Sequence, residues 1–248
     1  LRRQRQMCIR DSSCAVLNDG SAKCWGKNSD GQLGDGTTTS SSTPVSVSGI
    51  STAVSIALGS YHSCAILTDG SIKCWGKGSS LGGLLGNGAT TSSSSPVSVS
   101  GITTATSIAL GDYFSCAVLT DGSVKCWGNN GYGQLGDGSS THSSIPVSVS
   151  GISTATNISL GSIHSCAVLT DRSIKCWGDN SDGRLGDGST TDSATPVSVT
   201  GISTAVGVAL GYSYSCAVLM SGSAKCWGTN SYGQLGDGST TGLSLIHI

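Results

Sequence analysis

The sequence predicts an all-β protein, a β-propeller with one blade per repeat, and three observations predict it. A unit of about 50 residues recurs, with its tryptophans at Trp25, Trp75, Trp127, Trp177 and Trp227, and a fixed period of that length marks a repeat architecture. Short apolar runs alternate with period two between Gly, Pro, Asp and Ser, which is the signature of strands. No stretch carries a helical period. A β-solenoid is the alternative, but it usually has shorter coils and less need for a tight hairpin in every period.

Each period holds four short strands. The run PVSVSG, opened by Pro44, Pro96 or Pro146 and read as PVSVTG from Pro196, places Val45 and Val47 on one face. In VSIALG the alternation puts Val54, Ile56 and Leu58 on a shared face. The segments CAIL and SIKCWG follow, joined by a turn. For the third copy, Thr120-Asp121-Gly122 reads as a three-residue hairpin loop, a type I turn followed by Gly in the left-handed region. Leu119 then faces Ser123, Val118 faces Val124, Ala117 faces Lys125, and Cys116 faces Cys126. Directly opposed residues of a non-hydrogen-bonded pair lie about 4.5 Å apart at Cα, within disulfide range. The same register gives the pairs Cys14–Cys24, Cys64–Cys74, Cys166–Cys176 and Cys216–Cys226. Ten buried free thiols are the bland alternative, since cysteine packs as a small hydrophobe. A zinc site fits poorly, because the ligand spacing exceeds the usual knuckle and no paired histidines accompany it. Disulfides imply an oxidising compartment, so an extracellular or cell-surface location is expected.

Some copies depart from the pattern. Arg172 stands where the turn favours Gly, at a cost of about 1 kcal/mol. Ser221 replaces the turn aspartate, and the second copy carries two extra residues in WGKGSSLGGLLGNG. Only 11% of residues are charged and the net charge is −1, so there is no global attraction to nucleic acid or anionic membranes, and no nucleic-acid partner is expected. No apolar run approaches the roughly 18 residues that span a bilayer.

The run GSYHSCAILTDGSIKCWG, with NGYGQLGDG at residues 130–138, resembles the regulator of chromosome condensation repeat over residues 13–242. The resemblance implies a propeller of that type, typically of seven blades, with the five tryptophans as packing residues between blades. The paired cysteines resemble the variant found in secreted bacterial members. Function varies widely in this family, from nucleotide exchange on a small nuclear GTPase with chromatin binding, through β-lactamase inhibition and light sensing, to modules of ligases and surface proteins. The repeats are read as 13–62, 63–114, 115–164, 165–214 and a partial 215–242. Residues 1–12 (LRRQRQMCIRDS) and 243–248 (LSLIHI) match no part of the repeat and resemble translated adapter read-through. They are expected to be non-native, which would leave an open arc of about five blades cut from a longer chain. Arg2, Arg3, Arg5 and Arg10 would then be foreign rather than a basic arm, and Cys8 an orphan.

Candidate chemistry is sparse. His62 and His164 precede a cysteine by two residues, but Phe114 and Tyr214 take that position elsewhere, which argues against a Cys–His nucleophile. Asp35, Asp137, Asp187 and Asp237, with Asn87 in the odd copy, read as turn-capping groups rather than calcium ligands. DNSDG at 179–183 lacks the alternation of a calcium loop. No cofactor or metal is expected. Variation on the constant scaffold falls on Tyr61, His62, Tyr113, Phe114, Ile163, His164, Tyr212 and Tyr214, a candidate binding face, with Tyr132 and Tyr232 elsewhere. The expected function is noncatalytic binding of protein or glycan by a secreted or surface protein. The alternatives are a nucleotide-exchange or chromatin factor, which predicts reduced thiols and a basic face, and a polysaccharide-acting enzyme, which needs an acidic pocket around Asp112.

Overall fold

The computed structural model describes residues 6–9, 11–80 and 82–247. These form five four-stranded sheets, each a meander in chain order. The first contains β1 (Gln6–Ile9), β2 (Ser12–Val16), β3 (Ala22–Gly26) and β4 (Ser41–Ser46). The second contains β5 (Ala53–Leu58), β6 (His62–Leu67), β7 (Ile72–Gly76) and β8 (Ser93–Ser98). The third contains β9 (Ala105–Leu110), β10 (Phe114–Leu119), β11 (Val124–Gly128) and β12 (Ser143–Ser148). The fourth contains β13 (Ala155–Leu160), β14 (His164–Leu169), β15 (Ile174–Gly178) and β16 (Ser193–Ser198). The fifth contains β17 (Ala205–Leu210), β18 (Tyr214–Leu219), β19 (Ala224–Gly228) and β20 (Leu243–His247). Among the described residues no helix is long and apolar enough to cross a membrane.

The chain divides into two compact units, residues 1–120 with 127–129 and 142–146, and residues 121–126 with 130–141 and 147–248. Within the first unit, one core joins Leu33, Val47, Ile56, Leu58 and Trp75, and another joins Ile66, Ile72, Leu85, Val99 and Trp127. Within the second, Val168, Ile174, Leu185, Val199 and Trp227 pack together. One joint recurs throughout. The Trp75 indole N–H donates to the Gln32 carbonyl at 2.9 Å, and Trp127 donates likewise to Leu84 at 2.9 Å. In the second unit Trp177 donates to Gln134 at 2.9 Å and Trp227 to Arg184 at 2.8 Å. Each indole lies over a glycine. A Cβ on Gly34, Gly86, Gly136 or Gly186 would sit 2.6–2.8 Å from an indole nitrogen, so no other residue fits.

The hairpin register is the one that opposed cysteines require. Cys14 faces Cys24, Ala15 faces Lys23 and Val16 faces Ala22, with equivalent pairing in the second, fourth and fifth sheets. At the turn, Gly20, Gly70, Gly122 and Gly222 have φ between 76° and 83°. Arg172 holds the same place at φ 67°, and among the described residues it is the sole non-glycine with positive φ. Prolines fall in the outermost strand of a sheet, where a missing N–H breaks no ladder.

One expected face is split. Ile56 and Leu58 are buried, but Val54 points to solvent. A β-bulge between Ala53 and Ser55 inserts an extra residue and turns Val54 outward. The same irregularity recurs in β9, β13 and β17, and in two of them the bulged residue is Thr106 or Thr156, whose hydroxyl donates to a carbonyl of the neighbouring strand. The end segments, which carry no repeat sequence, occupy outermost strand positions: β1 pairs with β2, and β20 with β19. Ladder bonds join backbone groups and do not depend on side-chain identity. The Arg2, Arg3, Arg5 and Arg10 arm and the Cys8 side chain lie outside the described residues.

Candidate functional site

The cysteines form staples. Cys14–Cys24, Cys64–Cys74, Cys166–Cys176 and Cys216–Cys226 are disulfides with Cα atoms 4.0–4.1 Å apart, and Cys116 and Cys126 are each disulfide-bonded. In the first four copies the sulfurs are wholly buried. The histidines two residues upstream turn away from them. His62 Nε2 lies 2.7 Å from Ser115 Oγ, and His164 Nε2 lies 3.0 Å from Ser215 Oγ. Ser215 Oγ donates to the Arg184 carbonyl at 3.0 Å, so it accepts from His164, whose proton is therefore on Nε2. Both Nδ1 atoms are buried without a partner. Burial pushes each imidazole down to about 3, with the Arg184 charge adding to the effect at His164.

The recurrent aspartates organise loops. Asp35 accepts from the Thr37 N–H and hydroxyl at 3.0 and 2.9 Å and from Asn28 Nδ2 at 3.2 Å. Asn28 also bonds the Thr37 and Thr39 carbonyls and accepts from the Leu33 N–H. Asn130–Asp137, Asn180–Asp187 and Asn230–Asp237 repeat the arrangement. In the second copy both partners change together, to Gly78 and Asn87. The turn aspartates Asp19, Asp69, Asp121 and Asp171 each accept from the serine two residues on, and those bonds hold their carboxyls below the usual range.

The structure divides the eight residues of the candidate face in two. His62, Phe114 and His164 are fully buried and Tyr214 is partly so, because this position opens a strand whose side chain points into the sheet stack. These four are packing residues. Tyr61, Tyr113, Ile163 and Tyr212 precede that strand and reach the surface. In the first unit, Tyr61 and Tyr113 stack with centroids 5.0 Å apart, and Lys77 Nζ lies 4.5 Å over the Tyr61 ring. Below them Ser60 donates to Asp112. The backbone closes this end as the Lys77 N–H donates to the Tyr61 carbonyl and that of Asn129 to Tyr113. In the second unit, Ser162 Oγ donates to the Tyr212 carbonyl at 3.0 Å, and Tyr212 is 65% exposed. Period-two alternation separates Tyr61 from His62, Tyr113 from Phe114 and Ile163 from His164, but which face meets the next blade is not local information, and Tyr212 lies two residues before Tyr214, where alternation gives no separation. The contribution of Lys77 was not legible either, since it lies on a different strand end.

Arg184 takes the place of Gln32 and Gln134, whose amide oxygens cap a loop N–H. Its guanidinium is buried between Asp179, at 2.8 Å, and Asp182, at 2.6 Å. The carboxylates of DNSDG are thus committed to an internal cation. Their signal in the sequence is a joint change: Arg184 appears in the copy that has Asp179 where the first has Lys27, while Asp30 of the first copy, the counterpart of Asp182, stands beside Gln32.

The chain matches the family model of the RCC1-like domain over residues 3–245. It belongs to the RCC1-like domain family. Among solved structures, human WBSCR16 is similar at 23% identity and TM-score 0.85, covering 99% of this chain and 67% of that one. Yeast RCC1 (Prp20) bound to Kap60 is similar at 20% identity and TM-score 0.84, covering 97% of this chain and 59% of that one. The CRINKLY ectodomain of the Arabidopsis thaliana receptor kinase ACR4 shares 20% identity at TM-score 0.52, over 90% of this chain and 64% of that one. The five sheets are accordingly blades of an RCC1-like β-propeller, and the indole-over-glycine joint is the means by which consecutive blades of this RCC1-like domain meet.

Proposed function

We propose that this chain is a noncatalytic protein-binding module of a secreted or cell-surface protein, and that it engages its partner through the loop end around Tyr61 and Tyr113. The carrying observation is the stacked tyrosine pair with Lys77 over one ring. Tyrosines on a rigid frame lose little entropy on binding and make effective anchors, and a cation held on the ring selects a partner with a carboxylate. Hairpin disulfides support the location, because such bonds persist in oxidising compartments. Use of this fold in a receptor-kinase ectodomain is consistent with it. The yeast relative is bound to Kap60, and a second structure of that protein is described with its binding to Gsp1p and histones. For the present chain, that precedent supports protein as the ligand class. The nucleotide-exchange or chromatin reading requires reduced thiols and a basic face, against a net charge of −1.

A photo-crosslinking residue at Tyr113 tests the proposal with proteins from the cell exterior. One discrete adduct is expected, lost in Tyr61→Ala and Lys77→Ala, with affinity reduced more than tenfold. Adducts that persist in both variants refute the surface. Binding to a glycan array, with no protein adduct, would replace protein by sugar.

A further inference from the structure

Tyr61 and Tyr113 hold equivalent places in consecutive repeats, each directly before the second strand of its sheet. Their rings stack with centroids 5.0 Å apart and planes 24° from parallel. The backbone fixes both places. The Lys77 N–H donates to the Tyr61 carbonyl at 2.9 Å, and the Asn129 N–H donates to the Tyr113 carbonyl at 2.8 Å. The residues just upstream are tied to each other as well, since the Ser60 hydroxyl donates to the Asp112 carboxylate. The two phenols are thus preset neighbours. Reagents in solvent can reach them, because Tyr113 is 36% exposed and Tyr61 is half-buried. Tyr132, Tyr212 and Tyr232 are more exposed, at 49%, 65% and 95%, so exposure alone would favour those three over the pair. In the second unit the place equivalent to Tyr113, one repeat before Tyr212, is held by Ile163, which carries no phenol.

We propose that Tyr61 and Tyr113 form a site of oxidative modification, at which a one-electron oxidant, a peroxidase using hydrogen peroxide, joins the two rings into a dityrosine. Each phenol gives up one electron and one proton. The two phenoxyl radicals combine through a carbon ortho to each oxygen, forming one carbon–carbon bond. The hydrogens on those two carbons then shift to the oxygens, which restores both aromatic rings. One molecule of hydrogen peroxide takes up the two electrons and two protons and becomes two molecules of water. The centroids of rings joined in this way lie slightly closer than in the present stack, so coupling takes a slide and tilt of the rings and leaves the backbone in place. Holding two reactants in contact replaces a bimolecular encounter by an intramolecular one, so the pair reacts ahead of the three more exposed tyrosines. The bond closes the chain between positions 61 and 113 and restricts the unfolded state, as any crosslink over a long loop does. The exterior location proposed above would supply the oxidant, but the coupling itself rests on ring geometry alone.

A haem peroxidase with limiting hydrogen peroxide, added to dilute purified chain, tests this. Dityrosine fluorescence should appear on a species that runs as a monomer in denaturing gels, is lighter by two hydrogen atoms, and yields a peptide pair linked through Tyr61 and Tyr113. Its initial rate per chain should not depend on protein concentration. That rate should fall about tenfold in Tyr61→Phe and in Tyr113→Phe, which keep both rings and hence the fold, as unfolding midpoints verify. Chain oxidised in urea should lose the preference for this pair. A product without the Tyr61–Tyr113 link overturns the proposal. So do links made mainly through Tyr132, Tyr212 or Tyr232, or an equal yield of the link from folded and unfolded chain. None of these outcomes bears on the partner-adduct experiment for the tyrosine docking surface, which uses no oxidant.

Discussion

His62 and Phe114 occupy equivalent positions, both fully buried at the start of the second strand of their blade. The cavity thus accepts an imidazole or a phenyl ring, but only the imidazole couples folding to protons. With a folded value of about 3 against an unfolded value near 6.5, the unfolded chain binds more protons between those limits. Stability is therefore full above pH 6.5 and declines as pH falls toward 3. His62→Phe should flatten that decline by up to one proton's worth of slope, measured by urea unfolding across the range. An unchanged slope would show that the imidazole titrates normally in the fold. Arg184 poses the opposite problem, a buried charge that is paired. Arg184→Gln strands Asp179 and should cost about 3–5 kcal/mol. Asp179→Asn in the same background should recover most of it, and a double-mutant cycle gives the coupling.

At the scale of the hairpin, each staple closes a loop between cysteines ten positions apart. Replacing Cys64 and Cys74 by alanine should lower the unfolding free energy by roughly 2–3 kcal/mol from loop entropy, read in nonreducing denaturation. The fourth hairpin contains a correctable strain. Arg172→Gly removes a side chain from the left-handed region and should stabilise by about 0.5–1 kcal/mol. The turn aspartates add an acid limb. Their carboxyls are held low by serine bonds, so that contribution is present above the unfolded value near 4 and fades as pH falls below it. Being exposed, they shape the limb only modestly.

For the whole molecule, what could be read from the sequence was whatever the repeat makes local. Period, strand count and cysteine register involve residues within about a dozen positions of one another, where alternation and turn chemistry decide. The bulge at Val54 escaped because it displaces one residue without altering the pattern. The aromatic face was half legible: Tyr61 and Tyr113 emerged, while His62, Phe114 and His164 required knowing which strand face meets the next blade. The Lys77 contact joins residues 16 positions apart at the ends of different strands and left no mark in the alternation. The same holds for the end strands, whose pairing rests on backbone groups alone.

The short span between paired cysteines bears on how the chain matures. As each hairpin emerges during synthesis, both of its thiols are already neighbours, and no other cysteine of the repeat series is nearer. Oxidation can proceed blade by blade in the order of translation, with little call for disulfide shuffling by an isomerase. Intermediates trapped by alkylation should carry native ten-residue crosslinks from the outset.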